Sequence, residues 1–157
     1  MKISISYPPL ISQKGIPLLT QNRQFQWFSR PTYIYPIVPA QAATLLSKNG
    51  YDIIWDDGIA EEYDYKSWEE RLFSNKPDII VIETKTPVIK KHWVIIDKIK
   101  DYASKINWDP AIILVGDHVT ALPEESFKRS KVDFILTGGD YDFLLLNLCN
   151  NFSLYKD

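Results

Sequence analysis

Residues 111–123, AIILVGDHVTALP, place the tightest limit on how this chain folds. Ile112, Ile113, Leu114 and Val115 form an unbroken apolar run, Gly116 turns the chain, and Leu122-Pro123-Glu124-Glu125 opens a helix. A run this short and this apolar suits a strand covered on both faces, as in a parallel sheet between helix layers. The intervening Asp117, His118 and Thr120 then lie past the carboxyl end of a strand, where open α/β sheets bind ligands. An ordinary strand-to-helix turn, with Gly for the bend and Pro in the first helical turn, accounts for the same pattern.

The rest of the chain repeats the theme. Residues 2–6 (KISIS), 51–55 (YDIIW), 78–82 (DIIVI) and 133–136 (DFIL) are expected as further strands. Helices are expected from Pro39 to Asn49-Gly50 (apolar side Ala40, Ala43, Leu45, Leu46), over 67–75 (Trp68 and Leu72 inward) and after Pro87 to about 106. Two more are expected over 123–130 and from Tyr141 to about 150, the last capped by Asp140. In the longest helix Ile89, Trp93, Ile96, Ile99 or Lys100, and Ala103 step by three and four, Lys90, Lys91, Lys98 and Lys105 mark the wet face, and His92 reads as a surface or boundary residue. Five strands alternating with five helices imply an α/β fold: a three-layer α/β/α, Rossmann-like (flavodoxin-like) domain with a five-stranded parallel sheet in the order 2-1-3-4-5.

Residues 8–38 are the exception. They show no period and carry Phe25, Trp27, Phe28, Tyr33 and Tyr35, and six of the ten prolines lie from Pro8 to Pro39 inclusive. A long aromatic loop after the first strand is either a functional cover or a structural cap on the sheet.

At 157 residues the chain fits one domain with a real core. A net charge of −2 with dispersed Lys and Arg lacks the basic footprint of a nucleic-acid binder. The single Cys149 rules out a disulfide framework or Cys-rich cluster, and its apolar setting reads as a buried thiol. Neither a spanning segment nor a signal peptide is visible, so a soluble, cytoplasmic chain without membrane partners is the expectation.

The loops expected at the carboxyl edge of the sheet offer small residues, hydroxyls and prolines. No nucleophile–base pair or metal-ligand spacing stands out, and Glu83, Asp117 and Asp140 have no partners at motif spacing. Neither G-x-G-x-x-G nor a Walker A loop occurs. The loops suit holding a large, mostly uncharged ligand.

Several segments carry a resemblance: Tyr7-Pro8-Pro9-Leu10, QNRQFQWF ending at Phe28, Pro39-Ala40 with Ala42-Ala43-Thr44-Leu45-Leu46, and Gly50-Tyr51. IETKTPVIKKHW from Ile82, GDHVTALPEES from Gly116 and LTGGDYDFLL from Leu136 complete the set. Together, in this order, they resemble the N-terminal cobalamin-binding domain of cobalamin-dependent radical S-adenosylmethionine enzymes. The resemblance implies a corrin lying across the strand ends and a dimethylbenzimidazole tail threaded beside the sheet. It implies Pro8, Pro9 and Leu10 beneath the corrin, and Thr84, Lys85, Thr86 and Pro87 flanking it. Gly116, Asp117, His118, Val119 and Thr120 would meet it after the fourth strand, and Thr137, Gly138, Gly139 and Asp140 would make room for the tail.

Two departures qualify what is implied. The family's D-x-H-x-x-G loop, whose His ligates cobalt, is replaced by PPLISQKG, so cobalamin is expected base-off without a histidine ligand and no residue is assigned to metal. His118 lies elsewhere, a hydrogen-bonding group to a corrin amide or, less directly, a cobalt ligand. The C-x-x-x-C-x-x-C of a [4Fe–4S] cluster is also missing, so the cluster and the S-adenosylmethionine site belong to an absent catalytic half of a methyltransferase, the partner of this module in cis or in trans. Residues 1–152 are then the cobalamin-binding domain and 153–157 a tail or the start of a linker. A degenerate domain kept for protein contacts and an independent flavodoxin-like enzyme are the competing readings.

Overall fold

A computed structural model describes residues 1–10, 12–19, 25–30, 32, 34–139 and 141–155. Its centre is a parallel sheet of β1 (Lys2–Tyr7), β4 (Asp52–Asp57), β5 (Ile79–Glu83), β6 (Ala111–Val115) and β7 (Phe134–Ile135), ordered β4-β1-β5-β6-β7. Counting only the strands of this sheet, that is the expected 2-1-3-4-5 order. Every pairing is parallel, with Ile3 facing Ile53 on one side and Ile79 on the other, and Ile80 facing Ile112. The central strands β5 and β6 have helices on both faces, which is why they are almost wholly Ile, Leu and Val.

Helices α1 (Ile37–Lys48) and α6 (Tyr141–Asn150) pack together on one face. On the other lie α2 (Tyr65–Asn75), α3 (Ile89–Lys105) and α5 (Pro123–Arg129). There Phe73 of α2 stacks on Tyr102 of α3 at 3.9 Å, and Trp93 of α3 donates to the Ser126 hydroxyl of α5 at 2.9 Å. Trp68 is fully buried under β4, its indole N–H donating to Asp56 at 2.7 Å, while the Ser6 hydroxyl donates to the same carboxylate and Arg71 pairs with it. Burial raises the Asp56 pKa and Arg71 opposes the rise. Cys149 is buried as expected, and burial pushes its thiol up to about 12.

The structure corrects the sequence reading in several places. The loop over residues 8–38 is not wholly irregular, because β2 (Ile16–Leu18) and β3 (Gln26–Phe28) pair antiparallel as a hairpin. Gly15 closes it with φ +102°, at a point where a Cβ would lie 2.0 Å from the Phe28 carbonyl oxygen. The expected turn after β6 is a helix of its own, α4 (Asp117–Ala121), and Phe152–Tyr155 form α7, which runs from the last residue of the expected domain into the expected tail. In α1 the buried positions are Pro39, Ala42 and Leu46 rather than Ala40 and Ala43. His92 is not at the surface; it is fully buried. Asp140, with its expected cap and ligand role, lies outside the described residues, as do residues 21–24 of the quoted aromatic segment, Tyr33, and residues 156–157 of the tail.

Candidate functional site

Three loops converge at the carboxyl edge of the sheet, and polar side chains tie them together. Thr84 follows β5 and is buried, its amide donating to the Val115 carbonyl at 2.9 Å and its hydroxyl bonded to His92 Nδ1 of α3 at 2.7 Å. Lys85 is buried too, and its ammonium reaches Asp117 of α4 at 2.8 Å. Thr86 is exposed, with its hydroxyl 3.2 Å from His118 Nδ1. Each side chain of Thr-Lys-Thr is thus held by a different residue of α3 or α4. Gly116 makes the close approach possible. Its φ is +112°, and a Cβ there would meet the Thr84 carbonyl oxygen at 2.3 Å.

Two histidines support this arrangement without facing outward. His92 is sealed from solvent, and burial alone drives its pKa down to about 3, so it stands neutral with Nε2 unpartnered. His118 is buried edge-on against Trp93, its Nε2 3.2 Å from the Glu125 carboxylate but outside hydrogen-bonding geometry. Thr86 and Trp93 thus hold the ring inward, buried beneath the outer surface of the loops. Among the described residues no three His, Cys, Asp or Glu side chains form a group able to hold a metal ion.

The loop after β7 joins the same shelf through Thr120, whose hydroxyl accepts the Gly138 amide at 3.0 Å. Around Gly138 and Gly139 the space where a side chain would begin is open. Thr86, Pro87, Asp117, Thr120, Thr137, Gly138 and Gly139 are therefore an exposed, mostly uncharged ledge, with Gly116 half-buried and Val119 buried beneath it. Pro8, Pro9 and Leu10 are placed differently. All three are buried, and Pro9 packs at Gly58, which Trp68 also approaches, on the β4–α2 side of the edge.

At the seam between β1 and β5 the sequence reading missed a cluster. The Tyr7 hydroxyl donates to Glu83 at 2.6 Å, and Tyr141 at the start of α6 lies within electrostatic reach of that carboxyl. Burial holds Glu83 up at about 7, with Tyr7 and Lys85 opposing and Asp117 adding to the rise. Glu83 and Asp117 do have partners, though none at motif spacing. Their partners, Tyr7 and Lys85, come from other strand ends, 76 and 32 residues away, beyond the reach of local motif spacing. A cleft of about 380 Å³ beside the hairpin, walled by Tyr63 and Tyr65 over Pro9, Leu10 and Ile16, also had no signal in the sequence pattern.

Compared with known proteins, the chain matches no family model, no curated protein and no solved structure. No helix among the described residues is long and apolar enough to cross a membrane.

Proposed function

We propose that this chain is a cofactor-binding module that holds cobalamin base-off, without a histidine below cobalt, against the carboxyl edge of its sheet. The observation that carries the reading is the ledge itself. Loops after three adjacent strands are clamped side chain by side chain, yet present exposed hydroxyls, backbone and two unencumbered glycines outward. A large ligand with amide arms and little net charge is served by such groups, which hydrogen-bond without requiring ion pairs. The donor set fits this group and this mode of holding it. The loop after β1 has no histidine, and His118 is committed to Thr86. Thr86, Asp117, Thr120 and the Gly138-Gly139 backbone would face the cofactor, and the open space at the glycines would take its nucleotide tail. When bound, cobalamin supplies a cobalt centre that accepts and hands on a methyl group.

The partner in this reading is a radical S-adenosylmethionine catalytic domain with methyltransferase activity, in the same chain or another, working in the cytoplasm. Exposed Tyr35, Ile37 and Phe143, near the starts of the packed helices α1 and α6, offer it an apolar contact. The same exposure favours the competing reading of a domain kept only for protein contacts.

A visible-absorption titration of the chain with methylcobalamin in the dark separates the two. The expected result is saturable binding with a base-off spectrum that persists in His118→Ala and is lost in Gly139→Phe at an unchanged melting temperature. A spectrum that stays that of free cofactor up to millimolar concentration rules the module out and leaves the contact domain.

A further inference from the structure

The Tyr7–Glu83–Tyr141 cluster has no task in the proposed function, yet it sits at the β1–β5 seam directly below the ledge. We propose that Glu83 is a proton-binding group linked to that ledge, so that covering the ledge with ligand draws one proton onto its carboxyl. The inference rests on the reading of the ledge as a cofactor site and adds its regulation by pH.

The geometry carries the argument. Glu83 ends β5, one residue before the clamped Thr84, and it is only partly exposed. Tyr7 from β1 donates to one carboxyl oxygen, and among the described residues no cation is in hydrogen-bond contact with the other. Among the described residues, the charged and titratable groups acting on Glu83 are Tyr7, Lys85 from the following loop and Asp117 from α4. Tyr141 from α6 is coupled to it in turn and also feels Asp142, and Asp57 from β4 acts on Tyr7. The Lys85 ammonium is spent on Asp117, so its pull on Glu83 is largely offset. The carboxyl is already poised near neutrality by burial. A ligand on the ledge removes the water it still has and disfavours its charged form further. Proton uptake on binding follows, and with it tighter binding at lower pH.

The test has two arms on the intact chain. In the ligand-free protein, carboxyl carbon shifts are followed by NMR, with Glu83 assigned from Glu83→Gln. One carboxyl is expected to titrate near 7, and in Tyr7→Phe, which removes a bond that favours the charged form, its midpoint moves up. If every carboxyl titrates in the ordinary acidic range, or the midpoint ignores Tyr7→Phe, the proposal is overturned whatever the chain binds. In the second arm methylcobalamin affinity is measured at two values of pH about one unit either side of neutrality. The wild type is expected to bind roughly five- to tenfold more weakly at the higher value, and Glu83→Gln equally at both. Equal wild-type affinities overturn the linkage and leave the cofactor reading standing, whereas no uptake at either pH overturns both.

Discussion

The two halves of the sheet's carboxyl edge are built by opposite means. Over β5, β6 and β7 the loops are fixed by directional bonds: Thr84 to His92, Lys85 to Asp117, Thr86 to His118, Gly138 to Thr120. Over β1 and β4 directional bonds are confined to the strand ends, where Asp56 holds Trp68, Ser6 and Arg71 and Asp57 accepts the Ala60 amide, while the loop after β1 is seated by packing, with Pro9 against Gly58. There Leu18, Leu19 and Ile34 close over Tyr7 around a cavity of about 30 Å³. Hydrogen bonds fix an angle as well as a distance, so the first half can present a defined set of polar groups to a ligand. Apolar contacts are non-directional, and the second half can yield where the first cannot.

Glycine substitutions probe that difference most strongly. Gly116→Ala drives a methyl group into the Thr84 backbone at a positive φ and is expected to cost about 3 kcal/mol in urea unfolding. Gly58→Ala meets the buried Trp68 and Pro9 rings at 2.8 and 2.9 Å, side chains rather than backbone and without a positive φ, and is expected to cost less, about 1–2 kcal/mol. Equal losses would break the contrast between the two halves. Next in size, His92→Phe keeps an aromatic ring but leaves the buried Thr84 hydroxyl unpaired, a loss of about 1–3 kcal/mol in the same measurement.

Two of the buried titratable groups, His92 and Glu83, respond to pH in opposite directions. His92 is held at about 3 against an ordinary 6.5, so the unfolded chain takes up a proton that the folded chain refuses. Its contribution is complete above 6.5 and is lost as the pH falls toward 3. Glu83 is held at about 7 against 4.5, so the folded chain keeps a proton that the unfolded chain has released. That contribution is complete below 4.5 and is lost as the pH rises through 7. Between 4.5 and 6.5 the two slopes oppose. Thermal unfolding across this window is expected to show stability rising with pH in Glu83→Gln and falling with pH in His92→Phe.

Smaller effects sharpen the picture of the ledge. Asp117→Asn leaves the Lys85 ammonium without its carboxylate, and because Asp117 is itself exposed the cost is about 0.5–1 kcal/mol, shrinking as salt is added. Thr120→Val should change global stability by about 0.5 kcal/mol or less, but speed hydrogen exchange at the Gly138 amide.

Much of the fold was legible because apolar runs such as Ile79–Glu83 and Ala111–Val115 leave a chain little choice but a doubly covered strand. The buried His92 was legible too: Ile89, His92, Ile96, Ile99 and Ala103 step by three and four, and the adjacent lysines drew attention to the wrong face. The β2–β3 hairpin was hidden because its strands are three residues each and Pro17 interrupts their alternation. The clamps of the ledge joined residues from different strand ends. Only the strand order, once built, brings Lys85 to Asp117 or Tyr7 to Glu83.

The shortness of β7 has a bearing on how these molecules behave together. At that border the sheet pairs only Ile113 with Phe134 and Leu114 with Ile135, so an incoming strand finds too few amide and carbonyl positions to zip onto. The opposite border, β4, is six residues long, but its carboxyl end is occupied within the chain, because Asp56 is taken up by Trp68, Ser6 and Arg71 and Asp57 accepts the Ala60 amide, and its exposed first residue is Asp52. The sheet is thus guarded against growing into a fibre by brevity at one margin and, at the other, by a charged first residue and side chains already committed inward.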